Sequence, residues 1–341
     1  MNLLVVVVTL SLLAAACGSA DPVTSPEETI ASTQQAASTS DPATAPAILD
    51  IQGHRGARGL QPENTLPAFE AALDLGVTTL EFDLHFTEDG EVVVWHDPVI
   101  DASKCGLVPG ADGPDPDDPL LPDEDLMIAS LSSEELSNFV CDRNPDPARF
   151  PEQRASPTAL AGDDYGIASL GAVFDFVDAY AQDQSKTSEQ RTMAAAVAFN
   201  IETKRKPDNP AAIGDGFDGT NPGPFEVAIL DIVAERGLGD RVVLQSFDHR
   251  SLWVIHVLDP SIRLAALTTR QTPDLNEYAR RGASIWSPNQ ADVTAERIDE
   301  AHDLGLLVIP WTINDVDDMK KLIELGVDGL ITDRPDLALS L

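Results

Sequence analysis

From residue 48 onward, short apolar runs alternate with segments of helical periodicity, and this alternation constrains the fold more than any other feature. It is typical of a parallel β-sheet, because each parallel strand is followed by a connection that crosses back over the sheet. The predicted strands are Ile48–Gln52, Thr79–His85, Ala198–Glu202, Arg241–Ser246, Arg263–Leu267, Ser284–Trp286, Leu306–Trp311 and Gly329–Thr332. The predicted helices include Leu66–Leu75, Leu170–Tyr180, Phe225–Arg236, Asp274–Arg281, Thr294–Leu304 and Val316–Leu325.

Eight strand–helix units predict a fold of the α/β class, a closed (β/α)8 TIM barrel. An open, doubly wound sheet is the competing architecture. The glycine-rich turn of dinucleotide-binding sheets is missing after the first predicted strand, which counts against a dinucleotide-binding sheet of that kind. We expect the barrel over residues 48–341, with an inserted segment after the strand-2 region, about residues 98–168 (the insert).

The N-terminal residues 1–17 resemble a secretory signal of the bacterial lipoprotein kind. Their apolar stretch, "LLVVVVTLSLLAAAC", is too short to span a membrane comfortably and ends in small residues before Cys17. We expect Cys17 to carry the lipid; the alternative is plain secretion after cleavage near Ala16. Residues 18–47 have few apolar side chains and predict a disordered tether. The protein is therefore expected to be exported and anchored to a membrane, at the cell surface or in the periplasm.

The insert contains a Pro- and Asp-rich stretch and is predicted to lie over the barrel mouth with little core of its own; within it, "DGPDPDD" is expected to be a solvated loop. A short helix is predicted at Ser132–Val140. Because an exported protein meets an oxidising compartment, we expect the two cysteines of the insert, Cys105 and Cys141, to form a disulfide that closes it.

The chain is strongly acidic, with 57 acidic and 22 basic residues and a formal charge of −35. Only four of the acidic residues precede residue 48, so the charge belongs to the predicted barrel. A field of this sign repels nucleic acid and anionic membrane surfaces, which leaves the lipid anchor as the expected membrane contact. An anionic substrate would need a metal ion or a focused pair of basic side chains.

Charged residues and histidines follow or end several predicted strands, where a (β/α)8 barrel places its reaction site. They are His54, Arg55, Glu81, Asp83, His85, His96, Glu202 and Lys204. Glu81 and Asp83 alternate along one strand and therefore share a face. Together with Glu202 of the next barrel strand, they form a set of hard oxygen ligands suited to Ca²⁺ or Mg²⁺.

The remaining residues of this set indicate phosphate chemistry. His54 and His96 are suited to general acid and base catalysis, and Arg55 and Lys204 to binding an anionic oxygen. With a divalent cation, this combination indicates phosphoryl transfer to an alcohol or to water. His85 has two interpretations, a direct role at the site or a hydrogen bond near its rim.

A series of motifs resembles the glycerophosphodiester phosphodiesterase family. The motifs, in order between about Ile48 and Leu337, are "GHRG", "PENTLPAFEAA", "LEFDLHFTEDGEVVVWHD", "NIETK", "QSF", "WTIN" and "ITDRP". The set is specific, although no single motif would be. The resemblance implies a TIM barrel with an inserted segment, and hydrolysis of small-molecule glycerophosphodiesters to sn-glycerol 3-phosphate and an alcohol.

The resemblance also implies roles, residue by residue. His54 and His96 match the catalytic pair, Arg55 and Lys204 the phosphate-binding cations, and Glu81, Asp83 and Glu202 the metal ligands. Glu63, Phe247 and Trp311 match positions near the pocket, where the two aromatic residues would line the glycerol or the leaving group. One divalent cation is implied, and we expect Ca²⁺ in preference to Mg²⁺ in an exported protein.

Two other kinds of function compete with this prediction. A sphingomyelinase D-like or phosphoinositide-type phospholipase would share the barrel and the paired histidines, but the motif series fits them less well. A non-catalytic surface lipoprotein is the second alternative, and the complete set of histidines and acids argues against it.

Overall fold

Eight parallel strands form the barrel in the computed structural model, which describes residues 49–341. The predicted signal (1–17), the tether (18–47), Cys17 and Ile48 lie outside the described residues. The strands of the described part are β1 Asp50–His54, β2 Thr79–Phe86, β3 Val92–Val94, β4 Gly106–Leu107, β5 Phe139–Val140, β6 Ala198–Thr203, β7 Val242–Ser246, β8 Arg263–Thr268, β9 Ile285–Pro288, β10 Leu307–Val308 and β11 Gly329–Thr332.

The barrel strands follow the order β10-β9-β8-β7-β6-β2-β1-β11, and neighbours along this path are parallel. Backbone hydrogen bonds join its two ends: the amide of Asp328 donates to the Val308 carbonyl at 2.9 Å, and that of Ile331 to the Pro310 carbonyl at 3.0 Å. The predicted barrel is therefore confirmed, and the open-sheet alternative is wrong.

Helices follow most of the barrel strands and pack against their outer face. The α-helices of residues 49–341 are α1 Leu66–Leu75, α2 Ser133–Leu136, α3 Leu170–Gln182, α4 Ser188–Ala196, α5 Pro224–Glu235, α6 His249–Leu258, α7 Leu275–Arg280, α8 Ala295–Asp303, α9 Val316–Leu325 and α10 Pro335–Ala338. The bounds of α1 and α9 agree with the prediction. The connection filled by α6 had no predicted helix, and α4 is an additional helix between α3 and β6. None of these helices combines the length and the apolarity that a membrane span requires.

Alternation along β2 divides the barrel into an outer core and a polar interior. Leu80, Phe82 and Leu84 belong to the large apolar cluster beneath the helices, whereas Glu81 and Asp83 point inward. A small apolar layer closes the barrel interior; its buried residues are Val243, Ala265, Ile285, Ile309 and Ile331. The same alternation therefore builds the core and places charged groups inside the barrel.

The insert has a core of its own, so the expectation that it has little core is wrong. This buried apolar cluster joins Val93 and Trp95, which precede the insert, to insert residues Ile100, Cys105, Leu126, Ile128, Leu131, Leu136, Phe139 and Cys141. The predicted helix at Ser132–Val140 is also shorter than expected: α2 ends at Leu136, and β5 then pairs with β4. The structure has the predicted disulfide between Cys105 and Cys141, which lies within this cluster.

Candidate active site

Three carboxylates (the carboxylate triad: Glu81, Asp83 and Glu202) converge inside the mouth of the barrel. Asp83 of β2 lies beside Glu202 of β6 in the strand register, and each of the three offers an oxygen within 4.8 Å of the others. The three triad residues are only 1–8 % exposed to solvent. Burial and the two neighbouring acids raise the pKa of Glu81 well above its usual range.

The other two members of the triad respond differently to the same burial. Burial raises the pKa of Glu202, whereas Lys204 and Arg55 outweigh burial at Asp83 and hold its pKa well below the usual range. Asp83 Oδ2 accepts a hydrogen bond from Asn64 at 2.9 Å, but Asp83 Oδ1 has no hydrogen-bond donor among the described residues. Lys204 Nζ lies 3.4 Å from Asp83 Oδ1 but makes no hydrogen bond to it. Mutual repulsion and an oxygen without a hydrogen bond fit a divalent cation bound by the triad.

His54 is held by a carboxylate at the end of the last barrel strand. Its Nδ1 lies 2.5 Å from Asp333 Oδ1, so Nδ1 carries the proton and Nε2 is left without one. Nε2 lies 3.9 Å from Glu81 Oε2 and therefore faces the triad. Burial lowers the pKa of His54, and Asp333 only partly offsets this, so the ring is neutral at pH 7.

His96 forms a second pair of the same kind. Its Nδ1 lies 2.7 Å from Asp97 Oδ1, and burial, together with Arg55, lowers the pKa of the ring to about 3. The ring of His85 lies 3.1 Å from the His96 carbonyl and 3.2 Å from the Ala212 carbonyl. The geometry therefore favours the hydrogen-bonding interpretation of His85, which supports the backbone of His96.

Two buried cations adjoin the triad. Arg55 donates to Glu63 at 2.9 Å and lies 3.2 Å from Asp83 Oδ2; Lys204 Nζ lies 2.9 Å from Glu202 Oε1 and 3.4 Å from Asp83 Oδ1. Burial alone would lower their pKa values, but the surrounding carboxylates raise both. Both side chains therefore stay charged and available to an anionic oxygen.

A single cavity collects most of these groups. It is lined by both histidines, both cations, two triad members and the predicted aromatic pair, together with Arg58, Arg149 and Gln245. Phe247 and Trp311 pack edge to face with ring centres 5.4 Å apart, which gives the mouth one apolar wall. Glu63, which was also expected near the pocket, is not among the residues that line this cavity; it is 5 % exposed and binds Arg55, Arg58 and Lys104.

Several residues of the site were not singled out in the sequence. Asp333 and Asp97 orient the two histidines, and Gln245 donates to Glu81 at 2.7 Å. Each lies in a quoted motif, and Asp333 follows the last strand, so the strand-end rule could have found it. Lys104 and Arg149 come from the insert, where no periodicity marks them.

Comparison with known proteins decides the family. The profile of the glycerophosphoryl diester phosphodiesterase family matches residues 54–337. The chain belongs to this family. The family, the fold and the enzyme class predicted from the sequence are thereby confirmed.

This phosphodiesterase is similar to named proteins and to solved structures over most of its length. A glycerophosphodiester phosphodiesterase of Bacillus altitudinis is 28 % identical over 294 residues, which cover 85 % of this chain and 97 % of the relative. A Silicibacter pomeroyi structure, provisionally assigned to the same activity, has a TM-score of 0.68 at 28 % identity and covers 86 % and 93 % of the two chains. An Oleispira antarctica phosphodiesterase in complex with its product sn-glycerol-3-phosphate has a TM-score of 0.61 at 18 % identity, covering 85 % and 95 %.

The pairing of His54 with Asp333 predicts a large effect of Asp333→Asn in this phosphodiesterase. The amide can donate as well as accept, so it no longer fixes the proton on Nδ1, and we expect kcat to fall about a hundredfold or more. Asp336→Asn, which alters only a partly exposed ion pair with Arg334, should keep wild-type kcat. Steady-state kinetics of both variants test this, and a wild-type kcat in Asp333→Asn would contradict it.

Proposed function

We propose that the chain hydrolyses glycerophosphodiesters to sn-glycerol 3-phosphate and an alcohol, with His54 and His96 as the proton-transfer pair and one divalent cation. One observation carries the proposal: two neutral histidines, each paired with a carboxylate, line the same cavity as Arg55, Lys204 and two triad members. The family of the chain supports the substrate class. The Oleispira antarctica relative, solved with sn-glycerol-3-phosphate, adds support at the level of the shared fold.

The carboxylate triad would hold the cation. A bound divalent cation would neutralise charge on the phosphate oxygens. We propose Ca²⁺ in preference to Mg²⁺, because the set is made of carboxylate oxygens and the protein is proposed to work outside the cell.

The other side chains of the cavity bind the phosphate and transfer protons. Arg55 and Lys204 bind the non-bridging oxygens of the phosphate, with the planar fork of one complementing the point charge of the other. One of His54 and His96 removes a proton from the nucleophile through its bare Nε2. The other must first take up a proton at Nε2 beside the bound phosphate anion, and it then gives that proton to the leaving alkoxide. Two nucleophiles fit: water, or the 2-hydroxyl of the glycerol, which would give a cyclic phosphate that water then opens.

Release of sn-glycerol 3-phosphate from a panel of glycerophosphodiesters tests the proposal, with Ca²⁺, Mg²⁺ or a chelator in parallel. We expect chelation to abolish hydrolysis, because the triad then lacks its counter-charge, and Ca²⁺ to restore it better than Mg²⁺ at equal free concentration. Sphingomyelin and a phosphoinositide serve as comparison substrates for the two phospholipase alternatives. Full activity in chelator, faster cleavage of a comparison substrate, or no cleavage at all would contradict the proposal.

We also propose that the barrel is exported and held at a membrane by a lipid on Cys17, with residues 18–47 as the tether. The proposed chemistry uses residues between 54 and 333, so a protein that begins at residue 48 should keep wild-type kcat and KM. Cys17→Ala should move the full-length protein from the membrane fraction to the soluble fraction of the producing cell. Retention of this variant in membranes, or inactivity of a folded truncated protein, would overturn the assignment.

A further inference from the structure

Lys104 belongs to the insert, yet its amine reaches the active site. Nζ lies 2.7 Å from Glu63 Oε1 and forms a still shorter contact with Asp97 Oδ2. The side chain is 11 % exposed and passes 5.6 Å from the ring centre of Trp95. The next residue, Cys105, is tied into the core of the insert by the disulfide to Cys141. The insert therefore holds this amine in a defined place beside the barrel.

Each carboxylate that binds Lys104 also holds a residue of the proposed chemistry. Glu63 accepts from Arg55, and Asp97 accepts from His96 through Oδ1. Because Lys104 binds the other oxygen of Asp97, the carboxylate cannot turn about its side-chain bond without losing one of its two partners. The amine therefore fixes the orientation in which Oδ1 meets the imidazole of His96.

The charges support the same arrangement. Asp97 is partly exposed, and burial would raise the pKa of its carboxyl, but His96 and Lys104 outweigh burial and hold it well below the usual range. Without the amine, Asp97 and Glu63 would face each other with one cation fewer between them. Asp97 would then gain from turning toward water, away from His96.

Glu63, His96 and Asp97 also offer three potential ligand atoms within 4.8 Å, which suggests a second metal centre. The contacts argue against it. Lys104 already binds Glu63 Oε1 and Asp97 Oδ2, while Arg58 lies 2.6 Å from Glu63 Oε2. The ammonium group therefore supplies the positive charge that a second cation would bring.

We propose that Lys104 is a positioning residue, which holds Asp97 so that His96 keeps its proton on Nδ1 and presents Nε2 to the cavity. The inference rests on the proposed function, since it assigns His96 a proton-transfer role. It adds Lys104 to Arg149 as a contribution of the insert to the active site. The disulfide-anchored core of the insert is what keeps that amine in reach.

Lys104→Met tests the proposal, because methionine keeps much of the side-chain length and removes the charge. We expect kcat to fall about ten- to hundredfold, the loss typical of an outer-shell partner, with KM and the dissociation constant for Ca²⁺ changed less than about twofold. Lys104→Arg, which keeps a cation and donors, should recover part of the lost kcat.

Arg143→Met is the matched control. Arg143 lies in the same insert and donates its backbone amide to the Lys104 carbonyl at 3.1 Å, while its side chain binds Asp117 and the Ala102 carbonyl. Its loss disturbs the insert but leaves the contacts of Asp97 in place, so kcat should remain at the wild-type value.

A second readout does not depend on turnover. Nitrogen-15 NMR of the six histidines should show one Nδ1-protonated tautomer for His96 in the wild type and a mixture in Lys104→Met. Wild-type kcat in Lys104→Met, an unchanged tautomer, or an equal loss of kcat in Arg143→Met would overturn the inference. If the wild-type protein cleaves no glycerophosphodiester, the proposed function is refuted. The tautomer comparison does not need turnover, so it would still test the role of Lys104 separately.

Discussion

Repulsion among three buried carboxylates is the constraint around which the mouth of this barrel is built. Glu81, Asp83 and Glu202 meet within 4.8 Å in a space that water hardly reaches, and two ionised neighbours there are costly. Neighbouring donors offset part of this cost. Gln245 and the Arg55 backbone amide donate hydrogen bonds to Glu81, and Lys204 forms an ion pair with Glu202. The pKa of Glu81 remains raised despite them, which is why a divalent cation completes the site in our account.

The two histidines are governed by burial in a different way. Burial removes their tendency to take up a second proton, so both rings are neutral at pH 7. Asp333 and Asp97 then decide which nitrogen carries the single proton, and in both rings the geometry assigns it to Nδ1. The barrel thereby presents two unprotonated Nε2 atoms to one cavity, so one ring can act directly as a base. The ring that acts as the acid must take up a proton at Nε2 before it can deliver one.

The sequence predicted the barrel and the inward face of β2 because both depend on simple periodicity. Leu80 and Phe82 alternate with Glu81 and Asp83. Because successive side chains of a strand point to opposite faces, the two apolar residues share one face and the two acids share the other. The core of the insert could not be predicted in this way, because its apolar residues have no regular spacing and are brought together by tertiary contacts, among them the disulfide and the pairing of β4 with β5. Lys104 was not predicted either, because no periodicity in the insert marks it and Glu63, one of its two partners, lies 41 residues away in the sequence.

The central claim is that the carboxylate triad binds metal while the histidines move protons, and calorimetric titration with Ca²⁺ tests it most directly. The wild type, Glu202→Gln and His54→Ala would be compared after removal of bound metal. The account predicts one Ca²⁺ site in the wild type, at least about tenfold weaker binding in Glu202→Gln, and near wild-type binding in a His54→Ala protein whose turnover is lost. Unchanged Ca²⁺ binding in Glu202→Gln, or its loss in His54→Ala, would contradict the account.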